Sequence, residues 1–330
     1  MTSSFAEDSA RLVALWGLAE RGRYREVLGH LQALPAGELE RRTPLALLAA
    51  EAHGRLGAHA EGARWASVAL ERARAQGERH AELRARNLEG AIALERGDAD
   101  QAERHFSGAL DLARELHDHA AQARCFNNLG IIADLRGDVQ TALMNYKLAL
   151  AAYQQAGSPR GVAETHHNIG ITQRALGDLG AALHAADEAW RLAGQVGDET
   201  LLALVLTGRG ETHLAGGDGD LAASHLGRAE ALYARLGDAD GLAEVWRLQA
   251  GVARVRSDLA GAVGLLQKAR DSAAREGVAH TLAEIERDLG SALAAAGDAA
   301  GARAARERAL ALFLRLGAKN AASELAALIG

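Results

Sequence analysis

The chain has 330 residues, of which 48% are hydrophobic and 24% charged but only 4% aromatic, with 37 glycines, 3 prolines and a single cysteine. It is long enough to bury a large core, and the scarcity of aromatic and β-branched residues against abundant alanine excludes a strand-built fold and favours an all-α one. The formal net charge of −6 leaves no basic footprint for nucleic acid, and the lone Cys125 can form no internal disulfide, so a reducing cytoplasm is the expected location.

In chain order, the first ten residues carry acids where a secretion signal needs a basic stretch, and no later run is apolar enough for a membrane helix, so no membrane partner is expected. A compressed helix pair is predicted over about 4–40, with Gly22-Arg23-Tyr24 as its turn and Pro35 ending its second helix. From there a 40-residue frame predicts units at 41–80, 81–120, 121–160, 161–200, 201–240, 241–280 and 281–318, closed by a capping helix over 319–330. Small residues recur at Ala50, Gly90, Gly130, Gly170, Gly210, Ala250 and Gly290, and alanines at Ala102, Ala142, Ala182, Ala222, Ala262 and Ala302, where two helices would press together. A second glycine series runs through Gly57, Gly97, Gly137, Gly177, Gly217 and Gly297, broken only by Ser257, and from Gly97 on an aspartate follows each member. Glycine then aspartate fits a left-handed helix stop followed by an N-cap, the turn between the two helices of a unit. A third series, Gly77, Gly157, Gly197, Gly237, Gly277 and Gly317, departs only at His117 and marks the stop before the next unit. Pro44 and Pro159 fall at helix starts, where a missing N–H is tolerated.

The spacing Phe126, Leu129-Gly130, Ala142, Tyr146 and Ala149, with Trp246 at a matching position, resembles the tetratricopeptide repeat, with a 40-residue unit where the commonest form has 34. The lengthened repeats of kinesin light chains, of bacterial peptide-sensing regulators and of the sensor arms of signalling ATPases are similar. The resemblance implies a right-handed superhelical solenoid of about eight helix pairs, read here as one continuous array, that binds proteins or peptides.

Sites for chemistry are sparse. There is no G-x-x-x-x-G-K-[ST] loop, and Gly208-Arg209-Gly210 follows a helix where a dinucleotide fingerprint needs a strand. His117-Asp118-His119 and His166-His167 lack a second ligand pair at metal spacing, and Cys125 reads as a buried inert thiol. No enzyme, metal or cofactor is expected.

Binding is expected on the other face of each first helix. Positions i, i+3, i+7 and i+10 that avoid the packed side give Arg124, Asn127, Ile131 and Asp134, then Glu164, His167, Ile171 and Arg174, then Leu204, Thr207, Glu211 and Leu214, then Glu244, Arg247, Gly251 and Arg254. The candidate peptide groove is centred on Arg124, Asn127, Asn128, Ile131, Glu164, His167, Asn168, Ile171 and Arg174. Ile131 and Ile171 would supply an apolar floor, Arg124 and Arg174 would select an acidic group, and the asparagines would either pair with a peptide backbone or stiffen the array. The resemblance implies the first use for Asn128 and Asn168. A regulatory sensor that changes shape on binding is the alternative, as is docking on the opposite face near Met144 and Tyr146.

Overall fold

A computed structural model describes residues 2–276, 278–316 and 318–329, so the expected stops at Gly277 and Gly317 lie outside the described residues, as does the side chain of Asn320 in the capping helix. Among the described residues there are 18 helices and no strand. They run α1 (Thr2–Glu20) and α2 (Tyr24–Gln32), the short α3 (Glu38–Arg41), α4 (Thr43–Arg55) and α5 (His59–Gln76), α6 (Arg79–Glu95) and α7 (Ala99–Glu115), and α8 (His119–Leu135) and α9 (Val139–Gln155). They continue with α10 (Pro159–Ala175) and α11 (Leu179–Val196), α12 (Glu199–Ala215) and α13 (Gly219–Leu236), α14 (Ala239–Val255) and α15 (Leu259–Glu276), α16 (Ala279–Ala295) and α17 (Ala299–Arg315), and α18 (Lys319–Ala327). Two compact units result, one ending at Ala152 and the other beginning at Tyr153. Only α3 has no counterpart in the repeat frame; it follows Gly37, which takes φ 82° shortly after Pro35.

The turns form by the expected chemistry. At Gly137 the backbone is left-handed (φ 75°), and the Asp138 N–H returns to the Ala133 carbonyl at 2.9 Å, closing α8. The Asp138 carboxylate then accepts from the Thr141 N–H at 3.1 Å, opening α9. The same capping bond recurs at Asp98, Asp178, Asp218, Asp258 and Asp298. Aspartates at Asp118, Asp198 and Asp238 also cap α8, α12 and α14, a second capping series that the glycine pattern does not reveal. The two breaks in the glycine series keep the left-handed backbone: His117 has φ 55° and Ser257 φ 62°.

Packing follows from paired sizes. A β-carbon at Gly90 would lie 2.7 Å from the Phe106 ring, one at Gly130 2.5 Å from Tyr146, and one at Gly210 2.7 Å from Leu226. Each of these three glycines thus receives the large side chain sixteen positions later on the partner helix, whereas Gly170 faces Ala182, Ala185 and Ala186. Tyr146 is buried and its hydroxyl donates to Asp134 at 3.0 Å, giving the ring's one polar atom a partner. A second pairing joins neighbouring hairpins: the Tyr233 ring lies against Gly241, and the Tyr153 ring against Gly161. At the end of the second unit, Ala322 and Leu325 of α18 are buried against Phe313 and Ala309, the covering role expected of the last helix.

His117→Gly and Ser257→Gly should each raise stability by about 1 kcal/mol, because a left-handed backbone costs a residue with a β-carbon roughly that much. Asp178→Ala should lower it by about 1 kcal/mol through loss of the cap. The midpoint of urea unfolding checks all three; an unchanged midpoint for both glycine variants counts against strain at those turns.

Candidate functional site

The first helices of successive pairs in the second unit, α10, α12, α14 and α16, touch one another in order. With their small residues turned toward α11, α13, α15 and α17, the stripe read from the sequence is left to line a hollow of about 420 Å³. Its apolar part is Ile171, Ala175, Leu214, Ala215, Leu248, Ala250, Gly251 and Leu266; Ile171 is 40% exposed. Charged side chains set around this floor are Arg174, Glu211, Arg247, Arg254 and Asp288.

Most of these charges are already paired. Arg174 meets Glu211 at 2.6 Å and reaches the Thr212 hydroxyl at 3.5 Å. Burial nevertheless pushes the Glu211 carboxyl above its ordinary range, partly offset by Arg174. Arg247 spends both sides of its guanidinium, binding Glu244 through two nitrogens at 2.8 and 2.6 Å and Asp288 at 2.7 Å. Asp288 also takes a 3.1 Å bond from Arg287, which pairs with Glu284. A run of ion pairs therefore links α14 to α16 along this wall, beside the pair that joins α10 to α12.

Of the nine candidate residues, four belong to the first unit and five to the second. Of the four in the first unit, Arg124 is exposed on α8, while Asn127, Asn128 and Ile131 are half-buried; Asn127 is not without a partner. In the second unit, Ile171 and Arg174 line the hollow. Glu164 instead pairs with Arg160 at 2.9 Å, and Arg160 continues to Asp198 at 2.5 Å, at the start of α10 and α12. His167 lies with its ring against the bare backbone of Gly208, where a β-carbon would come within 2.7 Å of it. Burial lowers the pKa of that ring to about 4, with Arg174 adding to the effect. Asn168 has a partner already, and its carbonyl accepts from the Thr172 hydroxyl at 3.1 Å. Arg174 is committed to Glu211 and only 15% exposed, which conflicts with the expectation that it is a free selector of acidic groups.

Glu211, Leu214, Arg247, Gly251 and Arg254 stand on the stripe read from the sequence but outside the nine. Their signal was the helical phase. Asp288 and Leu248 lie off that phase and gave no signal. Cys125 is buried, its thiol donating toward the Asn87 side chain at 3.4 Å and pushed up to about 12 by burial, which suits an unreactive core thiol.

A family model of the tetratricopeptide repeat matches residues 83–155. That segment carries tetratricopeptide repeats. Solved structures extend the likeness beyond that segment. A Rap protein complexed with Competence and Sporulation Factor is 14% identical with a TM-score of 0.65, over 98% of this chain and 96% of that one. The Rap conjugation gene regulator of the plasmid pLS20, in complex with the Phr* peptide, has a TM-score of 0.70 at 12% identity, over 85% of this chain and 76% of that one. NprR in complex with its cognate peptide NprX has a TM-score of 0.61 at 16% identity, over 91% and 87%. No curated protein matches the chain. At these identities the tetratricopeptide fold is what the structures share. No described helix is long and apolar enough to cross a membrane.

His167, half-buried and held neutral against Gly208, predicts a pH dependence. Its folded pKa of about 4 lies below the ordinary 6.5, so the unfolded chain takes up a proton first as pH falls. The stability it contributes is complete above about 6.5 and lost toward 4, on the order of 3 kcal/mol in all. His167→Gln should flatten the fall in urea midpoint over that window. A variant with the wild-type slope would assign the proton sensitivity to another group, such as buried His225, whose pKa burial also lowers to about 4.

Proposed function

We propose that this chain is a peptide- or protein-binding scaffold whose ligand lies along the first-helix wall of the second unit, over the hollow lined by α10, α12 and α14. One observation carries the reading: an apolar floor that includes a solvent-exposed isoleucine, Ile171, sits inside a ring of fixed charges. Apolar side chains pinned by packing, with polar groups held at set positions around them, suit an extended segment that buries alternate side chains. Structures of the same fold hold peptides, the Rap regulator with Phr* and NprR with NprX among them, which supports a peptide as ligand. The work is binding rather than catalysis, and a cytoplasmic setting fits a single buried cysteine.

The test is a selection of seven-residue peptides from a random display library on the purified chain. Selected peptides should bind roughly tenfold or more weakly to Ile171→Asp, which places a charge on the apolar floor while circular dichroism shows the helices intact. Peptides that ignore Ile171→Asp but are lost on Met144→Asp would move the binding surface to the exposed side of α9, where Met144 is 57% exposed.

A further inference from the structure

The hollow holds three arginines and two carboxylates, and their pairing is uneven. Arg174 is held by Glu211, and Arg247 by Asp288 together with Glu244. Arg254 is exposed at the end of α14, one turn after Gly251, and among the described residues meets no carboxylate. Arg254 therefore brings a full guanidinium, with five N–H donors and a positive charge, to the margin of an apolar floor.

We propose that this hollow selects an acidic peptide, placing a carboxylate on Arg254 and the neighbouring aliphatic side chain on Ile171 and Leu214. The proposal rests on the reading of the hollow as a peptide site and names what that peptide must carry. Arg247 is a poor competitor for the carboxylate, because Glu244 and Asp288 already occupy its nitrogens. Arg174 is poor for a similar reason: moving it would strip Glu211 of the partner that offsets its burial. A basic ligand group has little to gain, since Glu244 and Asp288 are spent on arginines and only Glu211 retains an oxygen beyond its 2.6 Å pair. Gly251 adds a shape constraint. A β-carbon there would come within 2.7 Å of Leu214, so its absence lets Leu214 lie flat on α14 as floor.

The experiment uses three fluorescein-labelled pools of seven-residue peptides with blocked ends, built on the same aliphatic positions. One carries a single Asp or Glu, the second the matching Asn or Gln, and the third a single Lys. Fluorescence anisotropy with the full chain should show the acidic pool binding roughly tenfold tighter than the amide pool, the usual worth of a charged hydrogen bond, and weakening as salt is raised. Arg254→Gln should erase the difference between the acidic and amide pools, and Arg254→Lys should restore part of it. Equal binding of acidic and amide pools, or a preference that survives Arg254→Gln, overturns the assignment while leaving the peptide site standing. Tighter binding of the lysine pool also overturns it and makes Glu211 the selecting group. If no pool binds, or binding ignores Ile171→Asp, the peptide site itself is wrong and the acidic selection falls with it.

Discussion

Everything in this molecule depends on a helix hairpin closing over a missing side chain. Gly130 can receive the Tyr146 ring only because it has no β-carbon, and Gly90 with Phe106 and Gly210 with Leu226 repeat the arrangement. Two helices pressed this close exclude water from one side of each, which commits that side to the core and leaves the rest of each first helix to its neighbours and to solvent. The joints between hairpins obey the same rule: Tyr233 lies on Gly241, whereas the smaller Ala193 is buried beside the larger Leu201 in the same register. Size is traded between positions rather than set at each one, so close packing survives a repeat whose individual residues vary.

The wall of the second unit is built from what that packing leaves over. Glycine works here too, since the His167 ring rests on Gly208 and Leu214 on Gly251, each bringing a side chain of one first helix onto the backbone of the next. Charges then lock across the same surface through Arg174 with Glu211 and Arg247 with Asp288. Pairs such as Arg256 with Asp220, 2.6 Å apart but solvent-exposed, contribute little to stability; Arg247, 14% exposed and held by two acids, must keep its partners or leave a buried charge. The hollow consequently has charges held in place by their partners and an apolar floor open to solvent at Ile171.

The sequence alone determined the all-α class, the pairing of helices in a 40-residue frame, the turns and the small residues on which the pairs close. These are local matters: a glycine in the left-handed region, an aspartate three residues from a free N–H and a helical phase act over one or two turns and repeat visibly. The frame was strong enough for its two exceptions, His117 and Ser257, to keep the glycine-like backbone. The phase also carried most of the lining of the hollow, since Ile171, Arg174, Glu211, Leu214, Arg247, Gly251 and Arg254 all stand on it.

Tertiary structure decided which members of that phase remain available. Arg174 looked like a free cation in the sequence because Glu211, the group that occupies it, is 37 positions away on a different helix. The sequence left Asn127 and Asn168 open either to pair with a peptide or to stiffen the array; in the fold each has a partner. Arg254 differs from Arg174 and Arg247 in the same hollow because, among the described residues, no carboxylate comes to meet it. Periodicity specifies the face on which a side chain stands, but whether its charge is already neutralised depends on the neighbours that packing brings from other repeats.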